Sequence, residues 1–295
     1  MARLAQVATA RQAQLQDGRR LGFAQFGDAE GAPVIIFHDL WGNRNIRHPD
    51  DSILARLGIR LIGVDRPGYG MSTRKRDRSI MDVVDDVMLL SKALQLDSFA
   101  VLGYSAGGPY ALACAYRFPQ IVRRCAVVAP LPPMDHELGF RALHQLYGRL
   151  FQLARGNESF FRLLMRGFFF FDGQRSADQY IRELGALLSP ADQAVLSNIN
   201  LFNARRDSWE ELRSGGSENL VDEMVTLTSA WGFRLQSVQI PVDIWWGEAD
   251  VFCAPGVGER MAGMIPNAQF RLEPQAGHFL LYSHWQTILQ QLIAS

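Results

Sequence analysis

The sequence predicts an α/β chain: a mostly parallel sheet with helices on both faces and a helical block inserted into it. Three observations lead there. Short apolar runs alternate with amphipathic helical patterns. The alternation stops at Leu131 and resumes near Ser237. Ser105 stands between glycines on a strand-to-helix turn, in "VLGYSAGGPY" (101–110).

The elements follow in order. "TARQAQLQ" (9–16) and "LGFAQFG" (21–27) flank Asp17-Gly18, a strong hairpin signal. "PVIIFH" (33–38) is a short buried strand. "DDSILARLG" (50–58) reads as a helix closed by Gly58, where a left-handed cap suits glycine. "IRLIGVD" (59–65) is the next strand, followed by the glycine loop "RPGYGMS". "SIMDVVDDVMLLSKALQL" (79–96) is an amphipathic helix. Phe99–Leu102 form the strand before Ser105; "PYALACAYRF" (109–118) forms the helix after it, with Pro109 tolerated in the first turn. "RRCAVVAP" (123–130) is another buried strand.

From Leu131 to about Ser237 the patterns are helical, as in "ELGFRALHQLYGRLFQLA", "ADQYIRELGALLS" and "SENLVDEMVTLTSAWGF". Strands return with "PVDIWWGEAD" (241–250) and "AQFRLEP" (268–274), and helices are expected near 256–264 and 284–293. A core over 1–130 and 237–295 and a helical cap over 131–236 are therefore expected. Ligands of such sheets bind at the C-terminal strand ends, where Ser105, the loops and the cap should converge.

Composition narrows the function classes. A chain of 295 residues with 48% hydrophobic and 20% charged side chains is an ordinary globular protein. Thirty basic residues balance thirty acidic ones, so no general attraction to nucleic acid or an anionic membrane is implied. No apolar run reaches membrane-span length, and the N-terminus has no apolar stretch of signal-peptide type. Cys114, Cys125 and Cys253 match no metal motif, and no metal or cofactor site is expected. A soluble cytoplasmic protein acting on a small molecule is the expectation; the oligomeric state is left open.

Gly103 and Gly107 fit a G-x-S-x-G nucleophile elbow around Ser105, where the turn is too tight for side chains. A serine hydroxyl needs a base, and the base an orienting acid. Of six histidines, His278 in "PQAGHFLL" follows a strand and a glycine, so its loop can reach the elbow. His136 and His144 lie in the helical block, His48 in a polar loop, and His284 opens the last helix in a capping or surface role. The acid should close a strand as well. Asp250 is the choice, Glu248 the fallback and Asp135 a weaker third. The order Ser, Asp, His, each at a strand end, ties the three together.

With these residues in view the chain resembles the α/β-hydrolase family. "GYSAGG" (103–108), "GEADVFCAP" (247–255) and "GHF" (277–279) carry the resemblance, and "DRPGYGMS" (65–72) is similar to the family's glycine loop. It covers about 20–130 and 237–295, leaving the insertion as the family's variable cap. It implies acyl transfer with Ser105 as nucleophile, His278 as base and Asp250 as its partner. The implied oxyanion hole uses the Ala106 and Leu40 backbone N–H groups.

One departure stands out. The family usually reads His-Gly where this chain reads His38-Asp39, followed by Leu40-Trp41-Gly42. A carboxylate near an oxyanion opposes its formation, so Asp39 and Trp41 are possible modulators of the site. Asp39 is expected to turn away, onto a backbone N–H or Arg44; the alternative is a reaction other than ordinary ester hydrolysis. His38 is read as bracing the loop. In the cap, "FFRLLMRGFFFF" (160–171), Phe151 and Trp231 are expected mainly to pack against the sheet domain and in part to wall the pocket. No acidic cluster stands out there for a free amino group. The resemblance implies a hydrolase of carboxylic esters of small or medium apolar substrates. Amide or carbon–carbon bond hydrolysis on the same triad is the alternative, and a non-catalytic ligand-binding protein is the reading from another class.

Overall fold

Alternate residues of the apolar runs face opposite sides of the sheet, and each side needs a cover. The computed structural model, which describes residues 9–134, 137–172 and 176–294, supplies both covers. The strands are Thr9–Gln14 (β1), Arg20–Gly27 (β2), Ala32–Phe37 (β3), Ile59–Val64 (β4), Phe99–Tyr104 (β5), Val122–Val128 (β6), Val242–Gly247 (β7) and Ala268–Glu273 (β8). They form one sheet in the order β1-β2-β4-β3-β5-β6-β7-β8. Only β1–β2 and β2–β4 pair antiparallel. Every residue of β5 and β7 is buried, as strands covered on both faces require.

Ile35 and Phe37 belong to one core and Val34 and Ile36 to the other. The first core is closed by Ile80–Ala93 (α2), Gly108–Arg117 (α3) and Gly256–Met264 (α11). The second is closed by Ser52–Leu57 (α1), Leu280–Ser283 (α12) and Trp285–Ile293 (α13). The sequence marks the helix ends. Ser79 and Asp82 form a reciprocal capping box on α2, and Gly58 ends α1 in the left-handed region at φ 60°.

Between β6 and β7 the described residues contain helices only: Glu137–Arg141 (α4), Gln145–Gly156 (α5), Glu158–Asp172 (α6), Ala177–Ala186 (α7), Pro190–Leu196 (α8), Ile199–Ser214 (α9) and Ser217–Thr228 (α10), with a short 3₁₀ turn at Leu235–Ser237. The break between α4 and α5 is pinned to the loop after β7: His144 N–H donates to the Phe252 carbonyl (2.7 Å) and Ala254 N–H to the Ala142 carbonyl (3.2 Å). Asp135 and His136 lie outside the described residues.

One expectation for the insertion needs correction. The run 160–171 is not mainly core. Phe161 and Met165 are buried, but Phe160, Leu163, Phe170 and Phe171 are 52–70% exposed, because α6 turns only one face inward. Acidic residues do gather on α10, as Glu218, Asp222 and Glu223. They pair with arginines rather than standing free: Asp222 with Arg74 and Arg162, Glu218 with Arg74, Arg162 and Arg166, Glu223 with Arg66 and Arg78.

Candidate active site

In the strand order, β3 has its successor β4 on one side and β5 on the other. This is a topological switch point, where the loops leaving two adjacent strands diverge and open a crevice. The loop after β3 holds residues 38–42, and the turn after β5 holds Ser105.

Ser105 has φ 51°, a left-handed conformation that costs a non-glycine residue about 1–3 kcal/mol and persists only where its surroundings hold it. The glycines around it are required by close approach. A Cβ at Gly103 would meet the Gly107 carbonyl oxygen at 2.6 Å, and one at Gly107 would strike the Phe37 carbonyl at the end of β3. The elbow is therefore pressed against the 38–42 loop. Ala106 is the second residue of the helical turn Ser105–Gly107, where a backbone N–H has no partner within the helix.

The 38–42 loop is held from behind. The Asp39 carbonyl accepts from His38 Nδ1 (2.7 Å), Arg66 Nη2 (3.0 Å) and Gly42 N–H (3.4 Å). Arg66 also donates to the His38 carbonyl, and Tyr69 O–H donates to the Leu40 carbonyl (3.0 Å). In a trans peptide the C=O and N–H point opposite ways, so fixing the Asp39 carbonyl inward turns the Leu40 N–H outward. Burial, and then the Arg66 charge, push the His38 pKa well below the ordinary imidazole value. A neutral His38 with its proton on Nδ1 braces the loop.

His278 follows β8 on the loop before α12, and its Nδ1 meets Asp250 Oδ2 at 2.8 Å. The Asp250 side chain is fully buried, and its other oxygen accepts from the Phe252 (2.8 Å) and Cys253 (3.2 Å) N–H groups. Glu248 is exposed, so of the two carboxylates on this loop only Asp250 reaches the ring. The bond at Nδ1 leaves Nε2 as the acceptor in the neutral imidazole. Burial disfavours charging His278, but the Asp250 charge and hydrogen bond outweigh it and raise the pKa above the ordinary value. Among the described residues no hydrogen bond joins Ser105 to the ring; they line one pocket. Such bonds often tighten only when substrate is bound. Of the remaining histidines, His284 precedes α13 without capping it and contacts Ser283 and Glu273, and His144 caps α5.

The pocket is lined by Ser105, His278, Leu40 and Trp41 from the sheet side and by Leu143, Tyr147, Phe151 and Arg205 from the insertion. Trp41 packs edge-on against Trp209 of α9, with ring centroids 5.2 Å apart. Trp231 and the 160–171 run are not among the lining residues. Asp39 does turn onto a positive partner, but the partner is not Arg44. Arg205 of α9 takes both carboxylate oxygens, Nη1–Oδ1 at 3.0 Å and Nη2–Oδ2 at 2.7 Å. Arg44 is already engaged by Asp65 and Glu211.

One contributor had no signal in the sequence. Asp192 of α8 is fully buried and accepts from the backbone N–H of His278 (2.9 Å) and of Phe279 (2.6 Å). A Cβ at Gly277 would collide with this carboxylate, so the glycine before His278 makes room for it. Among the described residues no group of three or more His, Cys, Asp or Glu side chains could hold a metal ion. No helix among them is long and apolar enough to cross a membrane.

A serine on a left-handed elbow at the sheet's switch point, beside an acid-held histidine, is hydrolase architecture. The chain belongs to the alpha/beta hydrolase family, whose model matches residues 32–284. It is similar to a 2-hydroxy-6-oxononadienedioate/2-hydroxy-6-oxononatrienedioate hydrolase from Cupriavidus pinatubonensis, at 27% identity over 82% of this chain and 76% of that one. It is also similar to a bifunctional esterase/perhydrolase from Acinetobacter calcoaceticus, at 23% identity over 95% and 96%. Among solved structures, an esterase from Exiguobacterium antarcticum superposes with a TM-score of 0.71 at 17% identity, covering 97% of this chain and 98% of that one.

Proposed function

We propose that the protein is a serine hydrolase that cleaves carboxylic esters of small or medium apolar substrates through an acyl-enzyme. The observation that carries this reading is the shared pocket of Ser105, on its left-handed turn, and His278, held at Nδ1 by buried Asp250. His278 Nε2 takes the Ser105 proton as Oγ attacks the ester carbonyl carbon. The Leu40 and Ala106 N–H groups receive the oxyanion. As the tetrahedral intermediate collapses, the alkoxide leaves with the proton from His278. Water, deprotonated by His278, then attacks the acyl carbon, and Ser105 is released with its proton restored. Asp250 stabilises the transient imidazolium. The insertion, residues 131–236, acts as the cap on a core of 1–130 and 237–295. Three free cysteines fit a reducing compartment, and we read the enzyme as cytoplasmic.

The apolar wall of Leu40, Leu131, Leu143, Phe151 and Phe252 supports an apolar acyl or alcohol group. Carbon–carbon bond hydrolysis is the second reading, favoured by the likeness to the Cupriavidus 2-hydroxy-6-oxononadienedioate hydrolase. Amide hydrolysis at a free amino terminus is less well supported, since the α10 carboxylates are neutralised by arginines. A non-catalytic ligand-binding role is opposed by the Asp250–His278 pair.

The test is fluorophosphonate labelling of Ser105 together with a panel of p-nitrophenyl esters of increasing chain length, with a vinylogous 1,5-diketone and an aminoacyl anilide as controls. Labelling lost in Ser105→Ala, with medium-chain esters turned over best, is the expected result. A preference for the diketone would move the assignment to carbon–carbon cleavage, and no labelling at all would favour the binding role.

A further inference from the structure

Apart from His278 and the hydroxyls, the described pocket lining carries one pair of charged side chains, Asp39 and Arg205. The two meet as a fork, one carboxylate oxygen on each terminal nitrogen, the geometry by which a guanidinium recognises a carboxylate. Both are buried, with side-chain exposures of 6% and 7%. Burial works against the charge on Arg205, but Asp39 outweighs it and holds the guanidinium firmly protonated. The guanidinium carbon lies over the Phe279 ring, 5.7 Å from its centroid.

We infer that Asp39 is a built-in anion that occupies the carboxylate fork of Arg205, so that the pocket takes uncharged acyl groups and rejects those ending in a free carboxylate. This specificity rests on the ester-hydrolase reading; the occupancy of the fork does not. An incoming carboxylate has two options. It can displace Asp39, which is tethered to the same loop as the Leu40 N–H and competes at the high effective concentration of a covalently linked ligand. Otherwise it stays unpaired among Leu131, Leu143, Phe151 and Phe252, where a bare charge is costly. Gly42 is part of the device: a Cβ there would strike Asp39 Oδ1, so the loop is shaped around the carboxylate. The pair also explains how an acidic residue is tolerated beside the proposed oxyanion donor, because the guanidinium cancels its charge.

The test compares two substrates of matched length. The p-nitrophenyl ester of pentanoic acid ends in a methyl group; the mono-p-nitrophenyl ester of glutaric acid ends in a carboxylate. The wild-type protein should favour the pentanoate in kcat/KM by about 100-fold or more, since the fork is filled. In Asp39→Asn, which keeps the shape and removes the charge, that preference should narrow by about tenfold or more as Arg205 becomes free to pair. Adding Arg205→Gln to Asp39→Asn should restore it. Glutarate supplies a readout without turnover: it should raise the melting temperature of Asp39→Asn saturably, and leave the wild type and the double variant unchanged. Asp39→Gly serves as the second single variant if Asp39→Asn does not fold. Equal cleavage of both esters by the wild type, or glutarate stabilising the wild type as strongly as the variant, would overturn the inference. So would an unchanged preference in a folded Asp39 variant. If neither ester is cleaved and Ser105 resists fluorophosphonate, the hydrolase reading fails, and the glutarate measurements still decide whether Asp39 fills the fork.

Discussion

The sheet side and the helical side of the pocket are built differently. On the sheet side, Ser105, Asp250 and His278 each stand on a turn leaving a strand, and local backbone geometry aims them. On the helical side, Asp192 and Arg205 each reach across to a loop of the sheet domain. Asp192 takes two N–H groups of the His278 loop, and Arg205 takes the Asp39 carboxylate beside Leu40. The proposed reacting groups thus come from one region, and the other adds two charges, Asp192 and Arg205, to those that hold the neighbouring loops. The difference teaches that the insertion contributes alignment as well as walls.

If the reacting groups lie on the sheet side alone, Ser105→Ala should lower kcat by about 10⁴-fold or more while the circular dichroism spectrum stays unchanged. Residual hydrolysis at near wild-type rate would break the comparison at its root. Asp250→Asn should lower kcat by roughly 10⁴-fold, against little change for exposed Glu248→Gln. The pH profile sharpens this assignment. His278 works as a base only when neutral, so activity falls as pH drops through its pKa. Asp250 raises that pKa, which sets the acid limb of kcat/KM above the usual 6.5. Removing the Asp250 charge should move the limb to lower pH; a limb that stays in place would assign the carboxylate role elsewhere.

The helical side should respond differently. Glu223 is fully buried between Arg66 and Arg78, so Glu223→Gln leaves two buried guanidinium groups short of a counter-charge. Denaturant titration should show a loss of about 3–5 kcal/mol. Because Arg66 also holds the His38 and Asp39 carbonyls, some loss of kcat should accompany it. Asp192→Ala orphans two buried N–H groups and should cost about 1–3 kcal/mol, with kcat falling more than KM changes. Unchanged kcat in a stable Asp192→Ala protein would confine that residue to a structural role. The smallest effect is expected on the exposed face of α6: Phe170→Ser and Phe171→Ser should each change stability by under about 0.5 kcal/mol and leave ester turnover unaltered.

The sequence by itself determined the strand and helix order, because periods of two and 3.6 and the Gly, Pro, Ser and Asp punctuation are local signals. Strand and helix ends are met to within about a turn, as at 256–264 and at Gly58. It also pointed to Ser105, Asp250 and His278, since each is tied to a strand end by a glycine-bearing turn. Only the tertiary structure decided what Asp39 meets. Arg44, five residues away, looked available from sequence, yet Asp65 and Glu211 claim it, and the partner lies 166 residues downstream on α9. Asp192 was equally silent about its distant partner, 86 residues away: by pattern it reads only as the first-turn acid that meets the Ser189 cap of α8. The same docking left half of the 160–171 run exposed, because apolar content does not tell a helix which of its faces will find a neighbour. Local backbone preferences are written residue by residue. Pairings across the seam between sheet and insertion exist only once the two have packed, and no short-range pattern encodes them.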